Sequence, residues 1–590
     1  MATARNFDFE EFLNEFAADE DSDFEFEGFD LDDITVSRPT ENFENFIDAD
    51  NWVAGDREPP SLDYTKTPGL KQAVHNKDSP REYFELFFND NDFEFLAQQT
   101  NLYAQQFLRS AQLKPCSRFH KWHETNRSEM KQFISLLMLM GLVHQLDIKE
   151  YWTTDPLTTT PFFPSVMPRD RFLSLMTFLH LNDNSEFVPR GEEGYDPLFK
   201  LGPLFQKILD RFDTVYQPHQ NLCIDEGMVP WRGNLHFRVY SPDKPDKYGL
   251  KAYILCDAEN GYCMKMKLYT GKPSVPPSDK GATYDLVMSL LRNHYACGHI
   301  LYCDNYYSSP QLFMDLWCLG VGATGTVRPN RRGIPQEIKE VSKLCSTSHC
   351  SILLSYFIHL ENRGEVKVLS NGPLSVTKYQ DAKPVYLIST VEKSTLVTTG
   401  KRNHRNEEVV KPLVVHRYNS NMGAVDRLDM VVSASKLPVK TLKWWKKVFF
   451  HILTLIVSNA YVLYKDNCED QTPLNHRLFR RRLIHELLSN SGEFHTKVTG
   501  RPAAGKSLER LSGRHFLRKI VATKTVCRLC IVCSKACRQA EGRKRPGRQI
   551  SYECGQCNVA LCIEPCFEIY HTKQDYVLAY KRLLTQPTEE

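Results

Sequence analysis

Long uninterrupted apolar runs are missing from this 590-residue chain. The longest, Val448–Leu463, is broken by His451, Ser458 and Asn459 and falls short of the roughly 20 apolar residues a bilayer-spanning helix needs. Met1–Glu20 has neither a basic n-region nor an apolar h-region, so no secretory leader is expected. With no oxidising destination indicated, the 18 cysteines are expected as reduced thiols or metal ligands rather than a disulfide framework. Net charge is nearly absent too, at +2, but the average conceals opposite ends. Residues 1–50 hold 17 acids against 2 bases, whereas Lys497–Arg548 is strongly basic. The expectation is a soluble intracellular protein with a polyanion-binding end.

The chain is too long for one core and is expected to divide into several domains. Acids interleaved with Phe at the start cannot bury enough surface to fold alone, so 1–77 reads as an acidic disordered region. Tyr83, Phe84, Phe87 and Phe88 recur at helical spacing, and helical patterns continue in Asp92–Leu108, Ser128–Val143 and Arg169–His180. These make 78–215 a helical domain. From Asn221 the period turns to strands. Tyr248–Cys256 and Tyr262–Tyr269 flank the turn-rich Asp257–Gly261 and read as a hairpin. Helix Ala282–Asn293, strand His299–Cys303, helix Pro310–Gly320 and strand Gly322–Val327 follow, which together describe a mixed α/β sheet. Short strands among polar links (Ser351–Phe357, Val366–Ser370, Pro384–Ser389) mark 331–415 as an insertion dividing a core of 216–330 and 416–468. A basic helical linker over 469–525, a cysteine-rich domain over 526–575 and a tail over 576–590 complete the division.

Acids stand where elements end. Asp225 follows the apolar Leu222-Cys223-Ile224, and Asp304 follows Ile300-Leu301-Tyr302-Cys303. An acid at the carboxyl end of a buried strand faces the crevice where open α/β sheets place their sites. Asp426 and Asp429, three apart, share one face of a helix. Carboxylates so gathered suit hard divalent cations flanking a phosphoryl displacement. Each Asp by itself is equally suited to a cap or a turn, so spacing alone does not decide the matter.

Whole motifs are more specific. IDEGMVPWRG, YCDNYYSSP, GTVRPNRRGIP and YNSNMGAVDRLDM followed by KWWKKVFFH resemble, in order, the catalytic blocks of piggyBac transposases. YWTTDP, MPRDRFLSLMTFLHLND and YQPHQNLCIDEG resemble that family's N-terminal blocks, so the likeness runs from about Tyr83 to Tyr576. The resemblance implies an RNase H-like core with a β-rich insertion, a helical N-terminal domain for dimerisation and DNA binding, and a C-terminal zinc-binding domain. It implies Asp225, Asp304 and Asp426 as catalytic acids holding Mg²⁺ (or Mn²⁺), with Asp429 as a nearby fourth and Trp444 as a DNA-contacting aromatic. It further implies a nuclear homodimer acting on double-stranded DNA, cutting transposon ends through hairpin intermediates and joining them at TTAA. Three departures leave a domesticated, DNA-binding descendant open: Gly202 where relatives carry Arg, Ala424 within Gly423–Asp426, and Met430 after Asp429.

The repeated C-x₂-C pairs near the end, with further Cys and His, form a strong zinc pattern, since thiolates and imidazole satisfy Zn²⁺ tetrahedrally. The resemblance favours Cys530, Cys533, Cys554, Cys557, Cys562, Cys566 and His571, with Cys527 or Cys537 as an eighth ligand of a two-zinc site. Arg480, Arg481, Arg514, Arg518 and Lys519 are candidate phosphate contacts along a DNA path, and Gly542–Arg548 is a candidate nuclear localisation signal. Gly500–Ser507 spells a P-loop, but the polar Ser489–Thr499 before it is no buried strand, so ATP binding is not expected.

Overall fold

The computed structural model describes residues 52–585 apart from 60, 243, 245, 272–275, 340–362, 403–405, 407, 438–439, 469–472, 490–510, 512–513, 521–527 and 539–548. Two compact units, Met1–His495 and Thr496–Glu590, divide the chain. The acidic head, strand candidate Ser351–Phe357, the P-loop look-alike, Gly542–Arg548 and Cys527 lie outside the described residues.

The first unit opens on helices α1 (Asp90–Ser110), α2 (Arg127–Met140), α3 (Arg169–Phe178) and α4 (Gly202–Val215). Asn89 and Asp92 cap α1 reciprocally as a capping box, and Asn126 caps α2 by accepting from the Glu129 N–H. Fully buried Asp92 is also neutralised by Arg211 and, at 3.1 Å, by Lys207. The aromatic spacing noted above is core: Tyr83, Phe84, Phe87, Phe88 and Phe93 are all fully buried.

A ten-stranded sheet fills the middle. Its centre is β1 (Asn221–Pro230), β2 (Tyr248–Asp257), β3 (Cys263–Leu268), β4 (Ile300–Cys303) and β5 (Gly322–Thr326), in spatial order β3-β2-β1-β4-β5. β2 runs antiparallel to β1 and to β3, whereas β4 and β5 run parallel to β1, reached through the crossover helices α5 (Ala282–Leu291) and α6 (Pro310–Cys318). The apolar Leu222-Cys223-Ile224 run exists because both faces of β1 are covered.

The insertion does not fold apart from this sheet. Strands β6 (Val366–Asn371), β7 (Leu374–Gln380) and β8 (Pro384–Ser389) continue it, β8 pairing antiparallel with β5 so that Ile388 faces Gly325. Nor are residues 52–77 free as a disordered leader would be. Val53–Ala54 pairs with Leu369 and Ser370, Gly69–Leu70 pairs with Tyr216 and Gln217, and Arg57 donates to the carbonyls of Pro373 and Thr390. These attachments are main-chain pairings and one arginine side chain, which leave no hydrophobic period to read.

After the sheet come α7 (Leu413–Asn421), α8 (Ala424–Ala434), α9 (Trp444–Asn467) and α10 (His476–Ser489). At 24 residues α9 is long and apolar enough to cross a membrane by length and composition, contrary to the sequence expectation, but 83% of its apolar window is buried in this fold. One of the polar residues that interrupts it has a packing role. Asn459 accepts from the Cys263 N–H and donates to the Cys263 carbonyl, both at 2.9 Å, tying α9 to the outer edge of β3.

The second unit contains a three-stranded sheet of β9 (Leu517–Lys519), β10 (Tyr552–Cys554) and β11 (Val559–Ala560), with helices α11 (Ile531–Arg538), α12 (Cys566–Thr572) and α13 (Tyr576–Thr585). Its core is small and half sulfur: Cys530, Cys533, Cys554, Cys562 and Cys566 are buried with Val532, Leu561, Ile569, Tyr570 and Tyr576. The unit exceeds the 526–575 span expected for it. β9 lies before that span, and Tyr576 of α13 lies after it.

Candidate active site and zinc-ligand clusters

The four acids come together through register. Ile224 of β1 lies beside Cys303 of β4 in parallel pairing, so the next residues, Asp225 and Asp304, emerge side by side. The face of β1 that bears Asp225 is turned toward α8. Cys223, two residues back, donates its thiol to the Met422 carbonyl at 3.0 Å, and a Cβ on Gly227, two residues on, would lie 3.4 Å from Asp429 Oδ1. Asp225, between them, therefore looks toward the helix that carries Asp426 and Asp429. Gly227 keeps that approach open, since a Cβ there would also press on Ile254 Cδ1 at 2.5 Å.

Burial and mutual repulsion set the electrostatics. Burial, then the charges of Glu226 and Asp304, push the Asp225 carboxyl up to about 7. Burial raises Asp304 as well, although its carboxylate accepts the Tyr306 N–H at 2.9 Å. Asp429 is pushed up to about 6, chiefly by burial. Asp426, 68% exposed, sits 3.4 Å from the Lys244 ammonium. Sequence reasoning missed the supports around these acids. Glu226 accepts from the Tyr307 hydroxyl at 2.8 Å and pairs with Lys251 at 3.1 Å, while Lys251 lies over the rings of Tyr253 and Tyr306. Glu226 was adjacent to a candidate and could have been found; Lys244 and Lys251 belong to no pattern. The donor set is all carboxylate oxygen, with Asp225, Asp304 and Asp429 held where burial opposes their ionisation, which fits a hard divalent cation.

The second unit assembles two further groups, each with all ligand atoms within 4.8 Å of one another: Cys530, Cys533, Cys562 and Cys566, and His515, Cys554, Cys557 and His571. Cys533 Sγ lies 3.3 Å from Cys566 Sγ and 3.7 Å from Cys562 Sγ. A tetrahedron with Zn–S bonds of about 2.3 Å has edges of about 3.8 Å, so the thiols already stand near zinc-ligand spacing. In the other group Cys557 Sγ is 3.4 Å from His515 Nδ1 and 3.5 Å from His571 Nε2. His571 Nδ1 donates to the Phe567 carbonyl at 2.8 Å, which leaves Nε2 with a lone pair for metal. The groups interleave along the chain, one using the first and last of the eight ligands and the central pair, the other using the pairs between. Among the described residues the second group is completed by His515, which the sequence reading had not offered, while Cys527 and the side chain of Cys537 lie outside what the structure describes. His515 stands next to β9, which pairs with β10 and so carries it to Cys554.

The basic candidates divide. Arg480 is 5% exposed and donates to the carbonyls of Met138 and Ser435, so it is a buried brace and not a DNA contact. Burial lowers its pKa to about 10. Arg481, Arg514 and Lys519 are exposed. Arg518 is exposed as well, but its guanidinium pairs with Glu553 at 3.0 Å, beside Arg528. Trp444 begins α9 half-buried, edge-on to Phe237 at 5.4 Å between ring centres. Gly202 lies at φ +61°, where a Cβ would collide with the Leu181 carbonyl, so this backbone has no room for the Arg that the piggyBac resemblance would supply.

Comparison with known proteins agrees with this architecture. A family profile described as Transposase IS4 matches residues 79–461. Human PiggyBac transposable element-derived protein 3 is 25% identical over 503 residues, spanning 84% of this chain and 76% of that protein. Human PiggyBac transposable element-derived protein 2 is 24% identical over 433 residues, or 71% and 67% of the two chains. Among solved structures, a cryo-EM structure of a piggyBac transposase synaptic complex with hairpin DNA matches with a TM-score of 0.63 at 22% identity. It covers 85% of this chain and 98% of that one, a likeness of fold. With the family profile spanning most of the first unit, the mixed α/β sheet placing two of its acids side by side on neighbouring strands and relatives matched over most of their length, this chain belongs to the piggyBac transposase family.

Proposed function

We propose that the chain is a cut-and-paste DNA transposase with an RNase H-like catalytic core. Its β3-β2-β1-β4-β5 order, with β2 antiparallel to both of its neighbours and β4 and β5 parallel to β1, supports that assignment of the core. The observation that carries the activity is the placing of Asp225 and Asp304 side by side where the parallel pairing of β1 with β4 ends, with Asp426 and Asp429 opposite on α8. Asp225, Asp304 and Asp426 would hold Mg²⁺ or Mn²⁺, which when bound activates the attacking oxygen and stabilises the leaving one. Asp429, behind Asp426 on the same helix, adds negative charge to the site. The Tyr307–Glu226–Lys251 group fixes the stretch of β1 from which Asp225 projects. By family resemblance the reaction passes through hairpin ends and joins DNA at TTAA, in a nuclear homodimer whose zinc-bound second unit, with two Zn²⁺, grips the transposon terminal repeats.

A second reading is a domesticated DNA-binding protein that no longer moves DNA. Its support is that curated human relatives are themselves described as element-derived proteins, and that Gly202 excludes a basic side chain at its position. Incubation with Mg²⁺ and a duplex carrying a matching transposon end flanked by TTAA, beside Asp304→Asn, separates the two. Nicked and hairpin products that vanish in the variant support the transposase. Binding without cleavage in both chains supports the second reading.

A further inference from the structure

Carboxylates crowded at the end of a buried sheet repel one another, and positive charge relieves them before any metal arrives. The chain supplies that charge from the segment between Val239–Tyr240 and β2. Lys244, its side chain a quarter exposed, donates to the Glu226 backbone carbonyl at 2.9 Å and reaches Asp426 Oδ1 at 3.4 Å. One contact anchors the ammonium to the β1 residue next to Asp225; the other crosses to α8. The ammonium thus lies in the gap between β1 and α8, the gap a cation shared by Asp225 and Asp426 would enter.

We infer that Lys244 is a resident counter-ion of the acid cluster, holding the α8 acids to β1 in the metal-free chain and opposing the divalent cation that replaces it. It is a positioning residue that sets metal affinity, and the inference rests on the metal-binding reading of the four acids. A lysine that served solely to contact DNA phosphate would leave metal affinity of the DNA-free chain unchanged.

The test is Mn²⁺ titration of the full-length chain without DNA, followed by electron paramagnetic resonance at pH 8.5, where the carboxyls are ionised. Subtracting the same titration of Asp304→Asn removes Mn²⁺ held elsewhere. A unit charge about 5 Å from a divalent ion in a water-like dielectric opposes binding by about tenfold. Lys244→Met is therefore expected to bind Mn²⁺ about tenfold more tightly, and Lys244→Arg, which keeps the charge, to bind as wild type does. Asp304-dependent binding that is unchanged or weaker in Lys244→Met, or equally tightened in Lys244→Arg, overturns the counter-ion role alone. Binding with no dependence on Asp304 in any chain overturns the metal-site reading, and this inference with it.

Discussion

Replacing His515 with Ala tests the zinc clusters at the one ligand that the sequence reading did not offer. The imidazole lies 3.6 Å from Cys554 Sγ and 3.4 Å from Cys557 Sγ, and its ring stacks on that of His571 at 4.3 Å. Structural zinc binding is worth about 10–16 kcal/mol; shared over four ligands, one of them accounts for about 2.5–4 kcal/mol, or roughly 100- to 1,000-fold in affinity. The small core surrounding the other cluster cannot compensate, because α12 supplies ligands to both, Cys566 to one and His571 to the other. Full-length protein equilibrated against a graded chelator and assayed for zinc by mass spectrometry should retain two ions as wild type. His515→Ala should surrender one at roughly 100- to 1,000-fold lower chelator strength, with faster proteolysis between Thr496 and the chain end. Cys537→Ser should retain both ions. Retention of two ions by His515→Ala, with loss of one by Cys537→Ser, would refute the assignment.

Three further outcomes follow from the first unit. Gly202→Ala should lower its stability by about 1–3 kcal/mol in thermal or urea unfolding, because a Cβ at positive φ meets the Leu181 carbonyl; an unchanged midpoint would show that the turn yields freely. Arg480→Ala should lower the melting temperature by exposing two carbonyls to a cavity, whereas Arg481→Ala should leave it unchanged and weaken DNA binding in a salt-dependent way; the reverse pattern would mean that the buried and exposed roles are exchanged. The third outcome concerns pH. Asp225 and Asp429 titrate higher folded than unfolded, so the folded chain binds more protons between about pH 4 and 7 and loses stability as pH rises through that window. Metal-free protein should be less stable at pH 8 than at pH 5 by about 1–3 kcal/mol more than Asp225→Asn is, and an equal slope in the variant would contradict the raised carboxyl.

What could be read in advance was what repeats or what stands next to a repeat. The alternation of strand and helix between Tyr248 and Val327 follows from side-chain period, and the ends of β2, β4, β5 and β8 in the structure lie within a residue or two of that reading. Asp225 and Asp304 were visible because an apolar run ends on each of them. Invisible were the contacts made by backbone or by residues distant in the chain. Val53–Ala54 joins the sheet through main-chain bonds that any side chain permits, and Asn459 reads as a blemish in an apolar helix until the free edge of β3 lies opposite it. Arg480 shows the same limit from the other side. A run of three arginines, Arg480–Arg482, has one composition but two environments, because a helix turns successive residues by about 100° and only one of the three faces the carbonyls of Met138 and Ser435. His515 was hidden by a motif that seemed complete without it. Three cysteine pairs and a histidine invited a search for one more cysteine nearby, yet the residue that completes the second group among the described residues precedes the first pair, and only the pairing of Leu517–Lys519 with Tyr552–Cys554 brings it there. A ligand set is defined by what converges on a point, and convergence is a property of the sheet rather than of the spacing.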